Sequence, residues 1–304
     1  MPSQSGAPWR SDIVNAMTID VEDYFQVSVF DGVVPRHRWE SLESRVCANT
    51  ERLLTIFEDA GVRATFFVLG SVGERFPYLV RRIASLGHEI ASHGYGHRLV
   101  YDLTPAAFRE DLRRAKAALE LAAGVPVVAY RAPSYSITPR SLWALDVLIE
   151  EGYKYDTSIF PIHHDRYGIP VSARHPYVVE RAAGALTEVP ASTVRLGPLN
   201  LPIGGGGYFR LLPYAWTRWG IAHLNLVEGR PAIFYLHPWE IDPGQPRLGA
   251  SWLGRLRHYR NLHDTERRLR QLLQDFHFST LTAAVADEPV AQLDGAALSL
   301  PYVW

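Results

Sequence analysis

The run Ser92-His93-Gly94-Tyr95-Gly96-His97 places two histidines four residues apart, downstream of a carboxylate cluster, Asp20-Val21-Glu22-Asp23. Side chains at i and i+4 share one face of a helical turn, so the spacing predicts that both imidazoles reach one ion. Two neutral imidazoles and one carboxylate leave coordination positions open on a divalent cation, as hydrolytic metal chemistry requires. The bland alternative is two unrelated histidines at chance spacing. Glu22 lies two residues beyond Asp20 and so on the same face of a strand. Asp23 is adjacent and serves instead if the strand ends there.

More chemistry-bearing residues follow apolar runs. Ala64-Thr65-Phe66-Phe67-Val68-Leu69-Gly70 reads as a buried strand and precedes Gly87-His88-Glu89-Ile90-Ala91-Ser92-His93. Then come Tyr130-Arg131-Ala132-Pro133-Ser134-Tyr135-Ser136, Tyr155-Asp156-Thr157-Ser158 and Phe234-Tyr235-Leu236-His237-Pro238. In this order, over roughly residues 14–240, the motifs resemble the polysaccharide deacetylases of the NodB-homology type, carbohydrate esterase family 4. The stretches from Thr18 to Val27, Gly204 to Arg210 and His258 to Leu262 resemble the subfamily found with exopolysaccharide gene clusters, which carries a DUF3473-like C-terminal extension.

The resemblance implies roles. His93 and His97 bind zinc, cobalt or another divalent metal, and Asp20 is the general base. The commoner pattern has two consecutive aspartates. This chain departs from it, which leaves the carboxylate ligand open between Glu22 and Asp23. Arg131 pairs with the catalytic carboxylate, where a guanidinium fixes the rotamer and favours the ionised form. Pro133 and Tyr135 form a substrate-binding loop, with the Tyr135 N–H on the oxyanion. His237 is the general acid, Asp156 the anion that keeps it protonated, and Leu236 a wall for the acetyl methyl group.

The implied activity is metal-dependent removal of acetyl groups from N-acetylated amino sugars of a bacterial polysaccharide or its precursor. Two other readings stand beside it: a catalytically silent carbohydrate-binding protein on the same fold, and an amidohydrolase acting on a small cyclic amide. Asp20, Arg131 and His237 together argue against the binder. The pair His93 and His97 argues against the amidohydrolase, whose relatives tend to lose those ligands.

These residues need a scaffold. Strands are expected at 15–21, 64–69, 89–92, 127–130 and 153–156, and helices at 45–60, 78–86, 104–122 and 138–150. Thr104-Pro105 and Thr138-Pro139 each read as an N-cap followed by proline at the first helical position. Alternating strands and helices imply parallel pairing with right-handed crossovers, an α/β layout with the motifs at strand C-terminal ends. Spacing does not separate a barrel from a doubly wound sheet. The resemblance implies a distorted, incomplete (β/α) barrel of seven strands, residues 14–240, with a C-terminal extension, 241–304, packing on it. The four glycines Gly204–Gly207 read either as a flexible loop or as backbone that must approach a ligand or another strand closely. A last helix is expected at 264–276, with Leu269, Leu272, Leu273 and Phe276 on one stripe.

Bulk properties exclude several classes. With 31 Lys and Arg against 32 Asp and Glu in 304 residues, the net charge of −1 offers no basic footprint for nucleic acid. One cysteine, Cys47, rules out an intrachain disulfide and zinc–cysteine chemistry, and reads as helix packing. No apolar run precedes Asp20 and none reaches membrane-span length, so the expectation is a soluble, cytoplasmic protein without signal peptide.

Overall fold

The computed structural model describes Trp9 and residues 11–294. Strand β1, Val14–Val21, is buried at every position but its first, the signature of a strand covered on both faces. Its side chains divide by parity. Met17, Ile19 and Val21 enter the helix-side core, which leaves Ala16, Thr18 and Asp20 on the other, inner face. Strands β2, Thr65–Val68, and β3, Glu89–Ser92, obey the same rule. Phe66, Val68 and Ile90 meet the helices, while Phe67 and Ala91 face inward.

Helix α1, Val46–Ala60, returns the chain from β1 to β2, and α2, Gly70–Arg75, with α3, Pro77–Ser85, leads to β3. Helix α4, Pro105–Ala123, starts as expected, with Thr104 Oγ1 accepting the Ala107 N–H at 3.2 Å. It leads to β4, Ala129–Tyr130; α5, Trp143–Glu150, leads to β5, Tyr155–Asp156. The second predicted Thr-Pro start is a turn instead. The Thr138 N–H is taken by Ser141 Oγ at 3.0 Å, and the helix begins only at Trp143.

Beyond β5 come a hairpin, β6 Tyr177–Arg181 and β7 Gly184–Glu188, and a separate two-stranded sheet, β8 Thr193–Leu196 and β9 Leu199–Pro202. Helices α6, Gly206–Leu211, and α7, Tyr214–His223, precede β10, Ile233–Leu236. The described residues end in α8, Trp252–Tyr259; α9, Leu262–Asp275; β11, His277–Ser279; α10, Leu281–Val285; and β12, Ala291–Asp294.

The main sheet has the order β10-β1-β2-β3-β4-β5-β7-β6-β12, with β11 also on β1. From β10 to β7 it is parallel, the seven strands that the resemblance implies. Among the described residues its two ends do not pair, so the arc stays open as an incomplete barrel. The glycine run is a close approach between segments. Gly205 has φ +121°, bridges to Tyr235, and would place a Cβ 2.0 Å from the Tyr235 carbonyl oxygen. No described helix is long and apolar enough to cross a membrane.

Candidate active site

The inner face of β1 supplies the first carboxylates. Asp20 is buried, and its Oδ1 accepts Arg131 Nη1 at 2.6 Å. Arg131 leaves the end of β4 and is itself buried. Its Nη1 also donates to Thr18 Oγ1 at 2.9 Å, its Nη2 to Thr157 Oγ1 at 3.3 Å, and its guanidinium lies 4.2 Å from the Phe67 ring centre. Burial opposes the charge on Arg131, but Asp20, Tyr135 and Tyr235 together outweigh it and raise the Arg131 pKa. The aspartate is thereby held in one rotamer.

Glu22, His93 and His97 converge next to Asp20, with their ligand atoms all within 4.8 Å of one another. The two histidines do not share a helical turn, contrary to the sequence expectation. Residues 93–97 form a loop after β3, with Gly94 at φ +72° and His97 at φ +51°. The loop's polar groups bond outward. The Tyr95 N–H donates to Asp111 Oδ2 at 2.7 Å, and the carbonyls of Gly94 and Tyr95 accept the Gly70 and Ser71 amides at 2.8 and 3.1 Å. Arg36 Nη2 adds 2.8 Å to the His97 carbonyl.

This donor set fits a divalent ion. His93 Nδ1 is taken by the Arg131 carbonyl at 2.8 Å, which fixes the ring with Nε2 toward Glu22. Glu22 Oε2 stands 2.7 Å from His97 Nε2 yet makes no hydrogen bond of good geometry, so two donor atoms face a common point. Burial by itself would raise the Glu22 pKa, but His97, His237 and His93 bring it down to about 2. Burial holds His93 neutral, at about 4. A neutral imidazole and an ionised carboxylate are the ligand forms a metal takes. Asp23, the other candidate ligand, turns away. It accepts Ser44 Oγ at 2.5 Å and the Arg45 N–H at 2.8 Å at the start of α1, and burial raises its pKa to about 6.

His237 follows β10 and faces the same carboxylates, with Nε2 3.8 Å from Asp20 Oδ2 and 3.6 Å from Glu22 Oε1. Its side chain is 17% exposed against 4% for Asp20 and 2% for Glu22, so it is the member of this group nearest solvent. Burial opposes its charge; the Glu240 hydrogen bond, with Glu22 and Asp20, raises its pKa to about 9.

The anion at its back is not Asp156. That residue lies in β5, bonded to Ser158 and in register with Glu188 of β7. Burial raises the Asp156 pKa to about 6 and that of Glu188 well above its ordinary value. Instead Glu240 Oε1 meets His237 Nδ1 at 2.7 Å, and Glu240 Oε2 accepts Arg210 Nε at 2.5 Å. Sequence reading passed over Glu240. The signal was present: His237-Pro238-Trp239-Glu240 is a cap residue, a proline and an acid three positions on, the pattern of a capping box.

Three other expected residues are placed differently. Leu236 falls with Phe234 in the helix-side core, because strand parity gives the inner face to Tyr235. Pro133 opens a buried turn, Pro133–Tyr135, in which Ser134 and Tyr135 both have φ +52°. The Tyr135 N–H already donates to the Ala132 carbonyl at 3.0 Å, so it is not free for an oxyanion. The Tyr135 ring packs against Phe160, Tyr167 and Tyr235 instead.

Residues 42–155 match the family model for polysaccharide deacetylase, and residues 157–286 match a domain of unknown function, DUF3473. The chain thus carries a polysaccharide deacetylase domain followed by a DUF3473 domain. Among its relatives, a peptidoglycan-N-acetylglucosamine deacetylase of Bacillus cereus is 29% identical over 120 residues, 36% of this chain and 44% of that protein. A chitooligosaccharide deacetylase of a Bradyrhizobium strain is 30% identical over 99 residues, 33% of this chain and 43% of that protein. The chain thus spans less than half the length of either. Among solved structures, a Mycobacterium smegmatis protein classed with the polysaccharide deacetylases has a TM-score of 0.61 at 22% identity, with 96% of each chain covered. Puue allantoinase has a TM-score of 0.61 at 15% identity, also with 96% of each covered. At such identities these two likenesses speak to the fold alone.

Proposed function

We propose that the protein is a metal-dependent hydrolase that removes acetyl groups from N-acetylated amino sugars of a bacterial polysaccharide or its precursor. One observation carries the reading: Asp20 and His237 flank the point on which Glu22, His93 and His97 converge. A divalent ion, zinc or a substitute such as cobalt, held by those three residues would polarise the acetyl carbonyl and acidify a water there. The remaining work falls to the chain. Asp20, held by Arg131, receives the proton of the attacking water. His237, charged, donates from Nε2 to the leaving nitrogen. Residues 14–240 would form the deacetylase unit and 241–304 an extension. The related deacetylases of peptidoglycan and chitooligosaccharides support an amino-sugar substrate, and the subfamily stretches support an exopolysaccharide.

The test is acetate release from N-acetylglucosamine oligomers by zinc- or cobalt-loaded protein. Release that chelation abolishes and metal restores is the expected result. Tight metal binding without acetate release from acetylated glycans of several linkages would overturn the reading.

A further inference from the structure

We infer that the second half of the chain, matched by a domain without assigned function, completes the acid of this site: Glu240, locked by Arg210, is the positioning carboxylate of His237. The inference rests on the deacetylase reading above. It begins from a fully buried carboxylate whose two oxygens are both committed. Oε1 accepts from His237 twice, from ring Nδ1 at 2.7 Å and from the backbone N–H at 3.0 Å. One oxygen gripping the ring and the backbone of the same residue fixes the imidazole's rotation and directs Nε2 at the carboxylates of Asp20 and Glu22. The ring's face is set as well, stacked 5.1 Å from Trp239, which stacks at 4.2 Å on His258.

Behind Glu240 the chain of contacts runs into the C-terminal helices. Arg210 is buried and gives Nε to Glu240 Oε2. Its Nη1 donates to the carbonyls of Arg257 at 2.9 Å and His258 at 2.6 Å, at the end of α8. From the junction and body of α9, Asn261 Nδ2 and Arg268 Nη1 donate to the Arg210 carbonyl at 2.7 and 3.3 Å. A cap on the short turn after His237 needs only the backbone contact. A buried ion pair adds little net stability over an apolar replacement of the same volume. The ring contact and the clamped arginine therefore exceed what folding requires at this position, and they converge on the proton donor.

The experiment compares the metal-loaded full chain with Glu240→Gln on two substrates: N-acetylglucosamine oligomers, and an aryl acetate whose leaving group needs no proton. Glutamine keeps an acceptor for the backbone N–H, so the turn is retained. Amide turnover is expected to fall by about 10²-fold, the low end for losing acid catalysis, with ester turnover falling less than about tenfold. KM and the metal content per chain should hold. Equal losses on the two substrates, or wild-type turnover on both, would overturn the inference. Wild-type protein inactive on the amide would remove the deacetylase reading itself, a separable result. If Glu240→Gln does not fold, Arg210→Lys retains the cation without reaching both Glu240 and the α8 carbonyls. It should show the same skew toward the ester, and no skew overturns the proposal.

Discussion

At the scale of single residues, neighbouring acids separate by the direction in which each side chain leaves the backbone. Asp20 and Glu22 share the inner face, whereas Asp23 is spent on the start of α1. Glu22→Ala should therefore abolish tight metal binding. Asp23→Ala should keep the metal and lower unfolding free energy by about 1 kcal/mol, as loss of a buried hydrogen-bond acceptor does. Elemental analysis and denaturant melts separate the two. Asp20→Asn should retain the metal and lose about 10²–10⁴ in turnover, because the carboxamide cannot accept the water's proton. Retained turnover in a steady-state assay would reassign the base. The sequence revealed which residue types cluster, but the choice between Glu22 and Asp23 depends on where β1 ends, which local pattern leaves open. Away from the site, His88 Nδ1 accepts the Ala64 N–H at 3.0 Å, and burial together with Arg63 lowers its pKa to about 4. A protonated Nδ1 would set donor against donor. The native state then binds fewer protons than the unfolded state between about pH 6.5 and 4, so stability falls as pH drops through that window. His88→Asn, which keeps an acceptor without a titrating ring, should flatten that part of the curve in thermal melts run on metal-free protein.

At the scale of elements, one of the two Thr-Pro caps and the shared face of Asp20 and Glu22 were readable because both are local, whereas the Thr138 cap and the face of Leu236 were not. The parity of β1 and β2 follows from alternation, and Thr104 caps α4 as its sequence suggests. The histidine loop was misread for a physical reason. Its conformation is set by Asp111 of α4 and by the first amides of α2, partners that no i, i+4 rule contains. The same limit applied to Asp156, whose strand neighbour is Glu188 and not the histidine that follows β10. The glycine run tests this level directly. Gly205→Ala would drive a Cβ against the Tyr235 carbonyl at φ +121°, whereas a Cβ at Gly207 meets nothing within 4 Å. Overpacking together with backbone strain should cost Gly205→Ala at least about 2 kcal/mol. Gly207→Ala, early in α6, should be neutral or slightly stabilising. Chemical denaturation of the pair reads both, and similar melts would show that the bridge to Tyr235 does not constrain the run.

At the scale of the molecule, the two family matches meet between residues 155 and 157, but the sheet does not divide there. Strand β5 lies between β4 and β7, and β1 is flanked by β10 on one side and, on the other, by β11 at its start and β2 at its end. Side chains tie the parts further. Asn15 and Asn225 exchange amide hydrogen bonds at 3.2 and 2.8 Å, and Arg45 Nε reaches Asp242 Oδ2 at 2.5 Å. Contacts of such sequence separation leave no periodic trace, which is why the sequence suggested an appended segment where the structure has one shared sheet. Cooperativity should follow the sheet. Urea unfolding monitored by tryptophan fluorescence and by far-UV circular dichroism should give one transition with coincident midpoints. Removing residues 249–304 takes away β11 and the helices that clamp Arg210, and leaves the apolar sides of Leu269 and Leu272's partners open to water. That truncation should aggregate or melt well below the full chain in a thermal shift assay. Two resolved urea transitions, or a truncated protein as stable as the whole, would mean that the C-terminal helices rest on an independent core. The fold would then join two units by contact alone.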